Sequence, residues 1–166
     1  MFSTPFLFRL AKVISAGAIG IMSLFVFIGN TTDYCTNYLF VEHVLKMDTI
    51  SPNSALQYRS INSVPIYHTA YIIIIILEAC MTFCCLKGVF LLLKNLRSNT
   101  EIFHASKNWV IAGIIIGIII WFLGFEVIGG EWFAMWQSHS WNGLNAAERI
   151  VTFLTLALIL LQFKEE

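Results

Sequence analysis

Four long apolar segments constrain this chain more than any other feature. They run roughly over residues 6–29, 69–93, 109–128 and 144–163. About 20 helical residues cross a bilayer core of about 30 Å. A segment in lipid has no water to satisfy its backbone, so it must close its own hydrogen bonds, and a helix does so. The β-branched run Ile72 to Ile76 would suggest a strand in water, but in lipid the segment length overrides that preference. The expected fold is therefore all-α: one integral membrane domain built as a four-helix transmembrane bundle.

Composition agrees. Charged residues make up 12% of the chain, against about a quarter in soluble domains. The formal net charge is zero, and no basic patch suits a nucleic acid. Arg9 and Lys12 precede the first apolar stretch, as in a signal peptide. That stretch is long for a signal and no A-x-A site follows, so an uncleaved first span is expected. Seven cations (Arg9, Lys12, Lys87, Lys94, Arg97, Lys107, Lys164) fall on one side of the spans and three (Lys46, Arg59, Arg149) on the other. By the positive-inside bias, both termini are then cytoplasmic. The outer loops are 30–68 and 129–143.

These loops have internal order. DYCTNYLFVEHVLKMDT places Tyr34, Tyr38, Val41, Leu45 and Met47 at near-helical spacing, which predicts a short amphipathic helix lying on the membrane. EVIGGEWFAMWQSHSWNG carries Trp132, Trp136 and Trp141, which suit an interfacial belt. Gly129 and Gly130 are expected to let the chain turn there. Together the loops are expected to form an ordered outer cap.

Charges inside spans are costly and usually have a reason. Glu78 lies about ten residues into the second span, about 15 Å deep at 1.5 Å per residue. That is near the midplane, level with Ser23, Trp121, Thr152 or Thr155, and no Lys or Arg shares the depth. A neutral carboxyl bonded inside the bundle is one expectation. Proton transfer, a bound cation and a partner subunit's basic residue are the others. Glu126 and Arg149 should lie at similar depth near the outer ends of their spans, which predicts an ion pair that sets helix register.

Ligand candidates on the outer side are Glu131, Trp132 and Trp136. Glu42, His43, His68 and His139, with Asp48, offer metal-ligand types at spacings that match no known motif, and Met47 and Met135 would be needed for copper. No hydrolase, nucleotide-binding or zinc-protease motif is present. Cys80, Cys84 and Cys85 read as small hydrophobes, although Cys80 and Cys84 share a helix face that a soft metal or redox role would use. Gly113 and Gly117 form a GxxxG spacing for close helix packing, and Ala16 with Gly20 offers the same. Asn30-Thr31-Thr32 is a glycosylation sequon, relevant only in a eukaryotic secretory pathway.

NTTDYCTNYLFVEHVLKMDT, the SINS-x-P-x-x-H-x-A-Y stretch ending at Tyr71, and GGEWFAMWQSHSWNG resemble a bacterial family of predicted small integral membrane proteins, domain of unknown function 2165. The resemblance implies a four-span inner-membrane protein and brings no established activity. The topology is also similar to that of claudin-like proteins, but their W…GLW…C…C signature is absent. Three readings follow. The first is a non-enzymatic accessory or interaction subunit, with a membrane-protein partner or a second copy. The second is a small transporter or lipid- or ligand-binding protein using Glu78, Glu126 and Arg149. The third is a metal or redox enzyme. The sequence names no cofactor.

Overall fold

A computed structural model describes residues 3–164. Six α-helices follow in order: α1 (Thr4–Thr32), α2 (Tyr34–Lys46), α3 (Val64–Lys94), α4 (Thr100–Ala105), α5 (Asn108–Ile118) and α6 (Leu144–Gln162). α5 runs on without a break into a wide π-helix, Ile119–Trp132. No strand occurs among the described residues. Four helical stretches are long and apolar enough to cross a membrane: Thr4–Thr32, Val64–Lys94, Thr100–Trp132 and Leu144–Gln162. All four expected spans are present.

α3 starts five residues before its expected boundary. Pro65 occupies the first turn, where its missing N–H costs nothing, so the proline opens the helix instead of ending a turn. α4 is capped by the Asn99 side chain, which accepts from Ile102 N at 2.9 Å. The pair Gly129-Gly130 does not turn the chain. Both residues stay inside the wide helix, which continues to Trp132.

α3 is the centre of the bundle, flanked by α1 and α5, and α6 closes the ring against α5 and the wide helix. The closest approaches use glycine. A methyl at Gly88 would stand 2.6 Å from Val110 N, one at Gly117 would stand 2.7 Å from Leu154 Cδ1, and one at Gly113 would collide with Cys85 Sγ. Gly20 lies against Cys85 and Leu86. Met81, Cys85, Leu92, Val110, Ile114 and Leu154 are wholly buried between these helices. Phe25, Phe90 and Phe153 point outward, as expected of a surface that meets lipid.

The end holding the N-terminus of α1 and the C-terminus of α6 is tied by cations. Arg9 donates to Leu96 O (3.1 Å) and Ser98 O (2.6 Å) and lies over the Phe103 ring. Lys12 and Lys107 are both 1% exposed and both donate to Phe163 O. These side chains satisfy carbonyls that helix ends leave open, where positive charge is favoured. They are structural ties as well as loop charge.

The opposite end carries the cap. Met47 ends α2 with φ 54°, and Ala134 follows the wide helix with φ 51°. Both are fully buried and pack with Ile50 and Phe133. Left-handed backbone at non-glycine residues persists only where the surroundings over-determine it. Those surroundings include Ile61 N to Leu45 O at 2.9 Å, Tyr67 Oη to Ile61 O at 2.6 Å, and Thr49 Oγ1 with Ser138 Oγ at 2.8 Å. Arg59 stacks on Trp132, 4.6 Å from its ring centre, and donates to the Glu131 and Trp132 carbonyls.

Candidate functional site

Two features of the half nearer the cap stand apart from simple packing: an apolar cleft and a buried acid. The cleft follows from a change of winding. The glycine contacts hold α3 against α5 as far as Gly117. From Ile119 the helix adopts i→i+5 bonds, as in Phe133 N to Ile128 O at 3.0 Å. Such winding is rare and is frequent at functional sites. The wide helix then diverges from α3 and a cleft of about 320 Å³ opens. Ile73, Ile74 and Leu77 of α3 form one wall, and Ile120, Leu123 and Gly124 the other. Phe40, Val41, Val44 and Leu45 of α2 roof it, and Phe133 and Met135 close its outer end. The named lining residues are apolar, so the cleft can hold a hydrocarbon chain and nothing that needs a hydrogen bond.

The roof is pinned through aromatic contacts. Tyr34 Oη is 2.8 Å from His68 Nδ1, and the His68 ring stacks on Tyr38 at 4.3 Å. At the other end of α2, His43 bonds Asp48 at 2.9 Å and stacks on Trp141 at 4.6 Å. Glu42 bonds Lys46 one turn on, and that hydrogen bond holds the Glu42 carboxyl below its ordinary range. His139 is exposed and apart. The four metal candidates Glu42, His43, His68 and His139 are thus dispersed, and no group of three His, Cys, Asp or Glu among the described residues could hold a metal ion. Met47 and Met135 are buried as packing residues. Cys85 packs on Gly113, and Cys80 and Cys84 are free thiols.

Glu78 is 2% exposed and faces α1. Asn30 Nδ2 donates to both carboxyl oxygens, at 2.7 and 2.9 Å. Tyr71 Oη donates to Asn30 O at 2.9 Å. The partner is not among those expected from depth: it is Asn30. Gly20 lies against Cys85, so antiparallel register sets Phe27 level with Glu78. Phe27 is five residues, about 8 Å, from the outer end of α1. α3 begins beyond the end of α1, and Glu78 lies midway along Val64–Lys94. Thr152 and Thr155 are exposed on α6, so neither serves it. Glu78 lines neither this cleft nor the one between α1 and α6.

The expected Glu126–Arg149 pair does not form. Arg149 is exposed, and the charged group that acts on Glu126 is Glu148. One Glu126 oxygen, Oε1, is buried without a partner. The wide winding sets where Glu126 points, and a depth count cannot see it. Glu131 is exposed, and Trp132 and Trp136 are about half exposed. Sequence reasoning missed Asn30 and Thr82, whose Oγ1 is buried and unpartnered. It also missed the cleft, because a run of isoleucines carries no mark of which residues line a gap.

A family model described as "Predicted small integral membrane protein (DUF2165)" matches residues 8–164. No curated protein and no solved structure matches the chain.

Proposed function

Since the chain belongs to the DUF2165 family of predicted small integral membrane proteins, we propose that it works without catalysis, as a lipid-binding protein of the bacterial inner membrane with both termini in the cytoplasm. The outer cleft carries the reading. It lies between helices of membrane-spanning length, is lined by hydrocarbon side chains and is roofed by α2, so its natural occupant is the acyl chain of a surrounding lipid. The half-exposed Trp132 and Trp136 suit a place at the headgroup level. The seven-to-three distribution of cations supports the orientation.

The test is mild extraction followed by native mass spectrometry. The wild-type chain should retain about one lipid after delipidating washes. Gly124→Leu fills the cleft and should retain roughly tenfold less, equivalent to about 1.4 kcal/mol. Gly17→Leu, where a methyl meets nothing within 4 Å, should behave as wild type. Equal retention in all three would sink the reading.

An accessory role has separate support. α1 and α6 meet loosely over a cleft of about 450 Å³ lined by Ser15, Ala18, Met22, Phe153, Leu156 and Leu160. Small residues there allow another helix to approach. Glu78 adds nothing to that surface, because it faces α1 and bonds Asn30. A disulfide-trapped complex through Ala18→Cys is its test, and a chain that stays monomeric in native membranes removes it.

A further inference from the structure

We propose that Glu78 is the anionic ligand of a site for one small monovalent cation, set between α1 and α3 in the outer half of the bundle. Its hydrogen bonding carries the first step. A single amide nitrogen donates to both carboxyl oxygens. An ionised carboxylate accepts at both oxygens, and a protonated one keeps acceptor capacity beside its single O–H donor, so this bond admits a charged Glu78 wherever a counter-charge is present. That charge is buried, and among the described residues no Lys, Arg or His pairs with it. A buried carboxylate stays ionised only beside a compensating charge, and among the described residues the helices around Glu78 supply none.

The second step is independent of the carboxylate. Thr82 lies one turn further along α3 on the same face. It is 6% exposed, and its Oγ1 has no partner. The Gly20–Cys85 register sets Ser23 level with Thr82. Ser23 is fully buried and turns its hydroxyl hydrogen to Gly20 O at 3.0 Å, which leaves oxygen lone pairs free. Tyr71, bonded to the Asn30 carbonyl, closes the outer side. Thr82 and Ser23 thus set buried hydroxyl oxygens about one turn from the Glu78 carboxyl along the seam of α1 and α3, with one acidic group among them. Hard divalent ions favour several carboxylates, and soft metals favour sulfur or imidazole. A single charge among neutral oxygens suits an alkali cation of sodium size.

The site does not touch the lipid cleft, so the two readings fail separately. The purified full-length chain is melted in sodium-free buffer and titrated with NaCl, with choline chloride at matched ionic strength. Sodium should raise Tm saturably, following the logarithm of one plus concentration over Kd, and choline should not. Thr82→Val should weaken the response several-fold, and Glu78→Gln should abolish it. In parallel, an apolar carbodiimide is used to label carboxyls, read by peptide mass spectrometry. Sodium should protect Glu78 in the wild type, which keeps the test valid if Glu78→Gln fails to fold. Sodium-indifferent melting together with sodium-indifferent labelling would overturn the proposal. It would mean that Glu78 holds a proton, with the Asn30 amide turned to accept it.

Discussion

Gly88 shows how little tolerance the inner half of the bundle has. A methyl there would meet Val110 Cγ2 at 2.5 Å and Val110 N at 2.6 Å. The backbone nitrogen cannot swing aside as a side chain can, so α3 and α5 must separate. Gly88→Ala should therefore destabilise the protein by about 1–3 kcal/mol, the usual cost of overpacking, and lower the melting temperature in detergent. Gly17→Ala has open space and should leave it unchanged or slightly raised, since alanine is the better helix former. Equal shifts for the two would contradict the packing. The role of Gly88 was not legible, because its partner is a backbone atom on another helix. Gly113 and Gly117 were singled out by spacing. Glu78 was legible as an oddity, but its partner Asn30 was not. Asn30 sits beyond the expected apolar segment of α1, and the side chains of Asn30 and Glu78 bridge the offset between them.

At the scale of elements, periodicity gave α2 away. The recurrence of Tyr34, Tyr38, Val41 and Leu45 marks a helix with one apolar side. In the structure Val41 and Leu45 of that side roof the cleft together with Phe40 and Val44, while Tyr34 and Tyr38 meet His68. What holds the roof down is a set of ring contacts between α2 and His68 of α3. His68→Ala removes one hydrogen bond and the stacks on Tyr34 and Tyr38, together about 2 kcal/mol. Hydrogen exchange of α2 amides should then accelerate by roughly tenfold or more, while amides at the Gly88–Val110 contact keep their wild-type rates. Uniform acceleration through both regions would mean that the roof is not a separate unit. The wide helix had no such signal. IIWFLGFEVIGGEW reads as an ordinary apolar span, because side-chain hydrophobicity does not report whether N–H groups bond four or five residues back. Gly129 and Gly130 were misread for the same reason. Glycine permits a turn and equally permits a wide helix.

For the whole molecule, the question is which leaflet meets the cleft. The four spans follow from segment length alone, but sidedness rests on the cation bias, and three of those cations are partly or wholly engaged in packing. Arg9, Lys12 and Lys107 each bind a helix-end carbonyl. They hold the end of the bundle that is tied to the termini, so their charge still belongs to one side. Cys35 gives a direct probe, because it is exposed at the start of α2. In intact spheroplasts a membrane-impermeant maleimide should label Cys35. In a Cys35→Ser chain, a cysteine at Ser98 between α3 and α4 should react only after permeabilisation. The reverse pattern would place the cleft in the cytoplasmic leaflet and give the Glu78 site access from the cytoplasm. It would also mean that cations buried against carbonyls do not govern insertion, leaving Lys87, Lys94, Arg97 and Lys164 to be weighed alone against Lys46, Arg59 and Arg149. Four against three is too small a bias to orient a chain. The expected result therefore tests whether a cation tied to a helix end still counts when the protein enters the membrane.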